Sequence, residues 1–125
     1  MKKILIFGGT QFIGRRLVEL LLENGQYDLT LFNRGKTNTD LFPTCNKIHG
    51  DRNTDDILKV SHQYWDIIID VSCYFPNPLN NLLDALEGKV GRYIFVSTAS
   101  IYQLDPEATA PMNENTPIVS CTEKE

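Results

Sequence analysis

A glycine-bearing turn between an apolar run and a helical one constrains this chain more than any other feature. Residues 3–7 include four consecutive apolar residues, Ile4 to Phe7, and stop at Gly8-Gly9. A short apolar run halted by glycine predicts a buried strand. Residues 12–24 predict a helix, because Ile13, Leu17, Leu20 and Leu21 recur at helical spacing and Asn24-Gly25 supplies a stop. Between them lies Gly8-Gly9-Thr10-Gln11-Phe12-Ile13-Gly14. A strand, tight turn and helix in succession aim the helix N–H groups and the positive end of its dipole at one point, and glycines let an anion approach the backbone there. The pattern therefore marks a phosphate site, with a merely tight turn as the bland alternative. In a G-x-x-G-x-x-G frame Gln11 takes the middle place, and its Cβ stands where a pyrophosphate comes close. A P-loop is excluded, since Arg15-Arg16 stand where Lys and Ser/Thr are required.

The alternation continues along the chain. Residues 28–32 predict a second strand and 46–49 a third. Residues 53–60 predict a helix capped by Asn53 or Thr54, with two acids in its first turn. Residues 65–71 contain Ile67-Ile68-Ile69, a β-branched run suited to a strand buried on both faces. Residues 80–86 predict a helix and 92–97 a fifth strand. Trp65 and the phenylalanines are expected to pack in the core. Such alternation predicts an α/β fold, a parallel sheet with helices on both faces, and right-handed crossovers make it doubly wound. Residues 104–125 hold three of the six prolines and no apolar period, and read as loop or tail.

Composition narrows the function classes. The chain has 125 residues and a net charge of −4, which fits one domain and argues against a generic nucleic-acid partner. No apolar run approaches the roughly 20 residues of a membrane helix, and Ile4 to Phe7 is too short for a secretory leader. Cys45, Cys73 and Cys121 are scattered without a C-x-x-C pair, and His49 and His62 lack companions at metal spacing. We therefore expect no metal, no disulfide framework and a cytoplasmic location.

Candidate ligand residues cluster at the ends of the expected strands. The turn contributes Gly8, Thr10, Gln11, Phe12, Ile13 and Gly14. After the second strand, a NAD site carries an acid about 20 residues past the glycines. Asn33-Arg34-Gly35-Lys36 stands there instead, and Arg34 and Lys36 favour a 2′-phosphate, hence NADP over NAD. Ordinary surface cations on a solvated turn are the alternative. Asp51 and Arg52 follow the third strand, where Asp51 is a candidate acceptor for an adenine amino group and equally a turn residue. Val71, Ser72 and Cys73 end the fourth strand, where backbone contact to a cofactor is expected. Cys73 has no evident partner base and is read as a packed thiol. Ser97, Thr98 and Ser100 follow the fifth strand as hydroxyls for a substrate oxygen or a proton relay, or as a polar turn.

The segments Gly8–Gly14, Asn33-Arg34-Gly35, Gly50-Asp51-Arg52, 66–70 and 95–102 together resemble the amino-terminal part of the NAD-dependent epimerase/dehydratase family, the extended branch of the short-chain dehydrogenases/reductases. The resemblance covers residues 2–103. It implies a Rossmann-like domain over 1–103 that binds NADP or NAD, in an oxidoreductase or epimerase acting on a small molecule such as a nucleotide sugar. It also implies a catalytic Ser or Thr, matched in place by Thr98, and a later Tyr-x-x-x-Lys in which lysine lowers the tyrosine pKa. That pair is absent: the residues four places after Tyr27, Tyr64, Tyr74, Tyr93 and Tyr102 are Leu31, Ile68, Pro78, Ser97 and Pro106. The chain thus reads as a truncated, five-strand, inactive portion, with the fifth strand's free edge prone to self-association. The alternatives are a non-catalytic NADP-binding regulatory module and an RNA-binding relative using Arg15, Arg16, Arg34 and Lys36.

Overall fold

The computed structural model describes residues 1–103, 106–107 and 111–120. Five strands form one sheet: β1 (Lys2–Phe7), β2 (Tyr27–Asn33), β3 (Asn46–His49), β4 (Trp65–Asp70) and β5 (Val90–Phe95). Their order is β3-β2-β1-β4-β5, and every pairing is parallel. The chain leaves β1 toward one side and returns to its other side at β4, so the strand order reverses between them. A doubly wound sheet opens a crevice at such a point, beyond the carboxyl ends of its strands.

Alternation along β1 builds the core. Leu5 and Phe7 join Phe32, Ile57, Val60, Trp65, Ile68, Leu82 and Leu86 on one face. Ile4 and Ile6 join Val18, Leu29, Leu31, Cys45 and Ile69 on the other. Helix α1 (Phe12–Asn24) covers the second face, and α2 (Pro76–Ala85) with the 3₁₀ helix Asp55–Val60 covers the first. Within α1 the fully buried apolar residue is Val18, with Leu17, Leu21 and Leu22 packed beside it. Ile13 and Leu20, expected in the buried stripe, are exposed. Trp65 is buried and its indole N–H donates to the Val60 carbonyl at 2.8 Å. Phe7 and Phe32 are buried, whereas Phe12, Phe75 and Phe95 are exposed, so the expectation that every phenylalanine packs fails.

Three element expectations need correction. The helix expected over 53–60 begins at Asp55 and is a 3₁₀ helix; one short run must link β3 to β4, and 3₁₀ geometry suits short pieces. Thr54 is its cap, accepting the Asp56 N–H at 3.2 Å. α2 begins at Pro76, before the expected start at 80, because Pro76 and Pro78 sit in the first turn, where missing N–H groups cost nothing. β5 runs Val90–Phe95 and lies at the sheet edge, with Ile94 and Phe95 exposed. Of the expected tail 104–125, residues 104–105, 108–110 and 121–125 (Cys121 among them) lie outside the described residues. The described part folds back: Tyr102 bridges Ile118 antiparallel, and the Val119 N–H donates to the Ile101 carbonyl at 2.7 Å.

The junction of β1 and α1 tolerates almost no added volume. A Cβ on Gly14 falls 1.9 Å from the Gly8 carbonyl oxygen, and Gly8 itself has φ +85°. We predict that Gly14→Ala costs about 3 kcal/mol or more, since backbone rather than a flexible side chain must move. Gly25→Ala, at φ +69° with no atom nearer than 4.0 Å, should cost only about 1 kcal/mol. Urea unfolding of both variants checks the contrast.

Candidate functional site

The crevice at the carboxyl ends of β1, β2, β3 and β4 holds a cleft of roughly 280 Å³. Its first wall is the turn after β1, where Gly8, Thr10 and Gln11 line it. Gln11 caps α1 with φ −137° and ψ 151°, an extended conformation open to any residue, so the place held by glycine in the motif needs no glycine backbone here. The positive φ instead falls on Phe12, at 46°, whose side chain is almost fully exposed. Gln11 makes no side-chain capping bond, which leaves the first N–H groups of α1 for water or an anion.

The second wall follows β2. Asn33, Arg34, Gly35, Lys36 and Thr37 line it. The Asn33 Oδ1 accepts the Gly35 N–H at 2.9 Å, closing a tight turn, and Asn38 Nδ2 donates to the Thr10 carbonyl at 3.0 Å, tying this loop to the first. Arg34 and Lys36 are exposed, and neither has an ion-pair partner among the described residues. Arg15 and Arg16 differ: both pair with Glu19, at 3.1 and 3.2 Å, and hold its carboxyl below the usual range.

The floor comes from the ends of β3 and β4. Asp51 lines the cleft and also acts as a turn residue, its Oδ1 accepting the Asn53 N–H at 2.9 Å. Its own N–H donates to Asp56 at 3.0 Å, which, with Lys59, holds the Asp56 carboxyl down. Arg52 reaches across to β4. Its two terminal nitrogens grip Asp70 at 2.6 and 2.8 Å, and the Tyr93 hydroxyl donates to the same carboxylate at 2.5 Å. The guanidinium carbon lies 4.9 Å from the ring centre of Phe7. Asp70 is fully buried, the Arg52 side chain is 10% exposed, and Arg52 Nε is buried without a hydrogen-bond partner. Burial pulls the guanidinium pKa down, but the Asp70 hydrogen bonds and charge outweigh it and the net shift is upward. Burial first, then the Asp70 hydrogen bond and charge, push the Tyr93 phenol strongly up.

Of the expected site residues, Gly8, Thr10, Gln11, Asn33, Arg34, Lys36, Asp51, Arg52 and Ser72 line the cleft. Phe12, Ile13, Gly14, Val71, Cys73 and Thr98 do not. Gly14 and Val71 pack behind the turn: a Cβ on Gly14 meets Val71 at 3.1 Å. The Cys73 thiol donates to the Phe75 carbonyl at 3.3 Å. Thr98 lies beyond β5, exposed, where its Oγ1 accepts the Ser100 N–H at 3.2 Å. Sequence reasoning missed Tyr74, exposed at the cleft, and the Asp70–Tyr93 support beneath Arg52. A buried aspartate ending an isoleucine run was the available signal for Asp70; nothing local pointed to Tyr93.

Comparison with known proteins gives the same fold. No family model matches the chain. It is 34% identical, over 116 residues, to the chloroplast stem-loop binding protein of 41 kDa b from Arabidopsis thaliana, an alignment covering 81% of this chain and 30% of the relative. Among solved structures, UDP-glucose 4-epimerase of Thermus thermophilus in complex with NAD matches with TM-score 0.77 and 19% identity, over 94% of this chain and 44% of that one. The dTDP-glucose 4,6-dehydratase of Bacillus anthracis, also with NAD, matches with TM-score 0.73 and 17% identity, over 98% and 45%. The chain thus has the Rossmann-like fold of epimerases and dehydratases and spans less than half of these enzymes. Among the described residues no helix is long and apolar enough to cross a membrane.

Because the Tyr93 phenol is raised, it stays protonated in the fold while an unfolded tyrosine ionises near pH 10. The stability it contributes is complete below about pH 10 and is lost as pH climbs toward the raised value. We predict that tyrosinate absorbance shows one of the five tyrosines ionising only as the chain unfolds, and that Tyr93→Phe removes this lag.

Proposed function

We propose that this chain is the dinucleotide-binding part of a member of the NAD-dependent epimerase/dehydratase family, and that its cleft holds NADP in preference to NAD. The observation that carries the reading is the convergence of the Gly8–Gly14 turn, the Asn33–Thr37 loop and the Asp51–Arg52 floor on one crevice at the reversal of strand order. The residues fit such a ligand. The uncapped start of α1 suits a pyrophosphate, and the close seat of Gly14 on Gly8 brings the helix end to it. Arg34 and Lys36, exposed at the second wall and without an ion-pair partner among the described residues, suit a 2′-phosphate. A bound nicotinamide dinucleotide supplies hydride chemistry.

The reading extends to the parent reaction: epimerisation, dehydration or reduction of a small molecule such as a nucleotide sugar, the class named in the two solved enzymes. Thr98 is the proposed hydroxyl partner for the substrate oxygen. These 125 residues contain no Tyr-x-x-x-Lys, so we propose that by themselves they bind without turnover. The free thiols of Cys45 and Cys73 support a reducing compartment such as the cytoplasm. The apolar edge at Ile94 and Phe95 supports pairing of two copies, which light scattering would register as a concentration-dependent dimer.

The stem-loop-binding relative favours a second reading, a nucleic-acid partner. The net charge of −4 and the pairing of Arg15 and Arg16 with Glu19 oppose it, leaving Arg34 and Lys36 as the cations of the proposed patch without an ion-pair partner among the described residues. Calorimetry separates the two. NADP should bind more tightly than NAD, and Arg34→Ala with Lys36→Ala should weaken NADP by about tenfold or more while barely moving NAD. Equal affinities would remove the NADP preference. No dinucleotide binding, with a steeply salt-dependent affinity for an RNA hairpin, would replace the first reading by the second.

A further inference from the structure

We infer that Asn38 is a positioning residue that sets the preference for a 2′-phosphate, by holding the segment that carries Arg34 and Lys36 against the turn after β1. The inference rests on the dinucleotide reading and deepens it. Arg34 and Lys36 line the cleft, exposed and without an ion-pair partner among the described residues. No ion pair holds their charged ends, so the backbone of 34–37 decides where they stand. An asparagine pins that backbone at each end. At the near end Asn33 Oδ1 accepts the Gly35 N–H at 2.9 Å. The His49 ring lies against the same glycine, where an added Cβ would stand 2.7 Å from Nδ1. At the far end Asn38 Nδ2 donates to the Thr10 carbonyl at 3.0 Å, 28 residues back along the chain. Arg34 to Thr37, between the two pins, all line the cleft.

The residue type at 38 answers two demands. Its backbone stands at φ 50°, in the left-handed region that asparagine enters more readily than most residues. Its side chain supplies the N–H donor that a carbonyl requires. Glycine meets the first demand alone. The partners of the bond are also unequal. Thr10 is buried, and its turn is seated by the backbone approach of Gly14 to Gly8. Residues 36–40 are exposed and have no such seat. The bond therefore orders the segment rather than the turn. Beyond Asn38 the loop is tied elsewhere: the Leu41 N–H donates to the Asn38 carbonyl at 3.1 Å, and Lys47 Nζ, on β3, donates to the Thr39 carbonyl at 2.6 Å. Among the described residues Asn38 makes the hydrogen bond that joins this loop to the phosphate turn. Exposed cations lose chain and rotamer freedom when an anion gathers them, and a segment already held at the cleft has less to lose. The gain falls on NADP, which uses these cations, and not on NAD, whose 2′-hydroxyl does not.

The test is the ratio of NADP to NAD affinity, measured by calorimetry on the full chain and its variants. Asn38→Gly keeps the left-handed backbone and deletes the tether. We expect the ratio to fall about fivefold or more through loss of NADP affinity, with NAD within about twofold of wild type. Thr39→Gly loosens the same loop and keeps the tether, so its ratio should stay within about twofold of wild type. Added to Arg34→Ala with Lys36→Ala, Asn38→Gly should move NADP affinity by less than about twofold, since Asn38 acts through those cations. An unchanged ratio in Asn38→Gly, an equal fall in Thr39→Gly, or a further loss of NADP affinity in the combined variant overturns the proposal. So does a parallel fall for NADP and NAD, the mark of a residue that only supports the fold. If Asn38→Gly does not fold, NMR of the wild-type Asn38 side-chain amide decides. Adenosine 2′-monophosphate should shift it and adenosine should not; equal shifts with both, or none, overturn the proposal. A wild-type chain that binds NADP and NAD equally defeats the NADP reading and this inference with it. A wild-type preference that survives Asn38→Gly defeats this inference alone.

Discussion

Everything around the cleft depends on how closely α1 seats on the end of β1. With 1.9 Å between a hypothetical Gly14 Cβ and the Gly8 carbonyl, helix and strand meet backbone to backbone. That contact sets the helix start over the crevice and directs its unbonded N–H groups there. It also brings Val71, from the end of β4, against the same point, so the turn is braced from both of its neighbours. The Asn38 bond to Thr10 extends the brace to the loop after β2.

The second constraint is electrostatic. Asp70 ends the interior strand β4 in complete burial, where an unpaired carboxylate is costly. Arg52 and Tyr93 meet that demand from opposite sides in sequence, one after β3 and one on edge strand β5. The floor of the cleft is thereby tied to the edge of the sheet. The cost of burial falls on the protonation states as well: the phenol is raised, and the guanidinium stays charged because its partner outweighs its desolvation.

Much of the sheet was legible because its signals are local. The helix 12–24 is legible with its observed bounds from its apolar period and glycine stop, which need no tertiary context, and the strand 46–49 from its place ahead of Gly50. The sequence places the start of α2 late, at 80, because Pro76 and Pro78 resemble helix breakers although they stand in its first turn. The helix at Asp55–Val60 is legible as a helix, but its 3₁₀ geometry is not, because the capping signal is the same for both helix types. In the site, the polar loops after β1, β2 and β3 were found from their places at strand ends. The Arg52–Asp70–Tyr93 cluster was not, because its members are 18 and 23 residues apart and nothing in local pattern links them. Gln11 shows the reverse case. It looked like a defect in the glycine motif, yet the unusual backbone lies one residue on, at Phe12.

The central claim is that one dinucleotide bridges the three walls of this crevice. Amide hydrogen exchange of the full chain with and without NADP tests it most directly. The account predicts added protection together in 8–15, 33–37 and 50–53, with β5 and residues 111–120 unchanged. Binding that protects other segments, or none of these three, would contradict it.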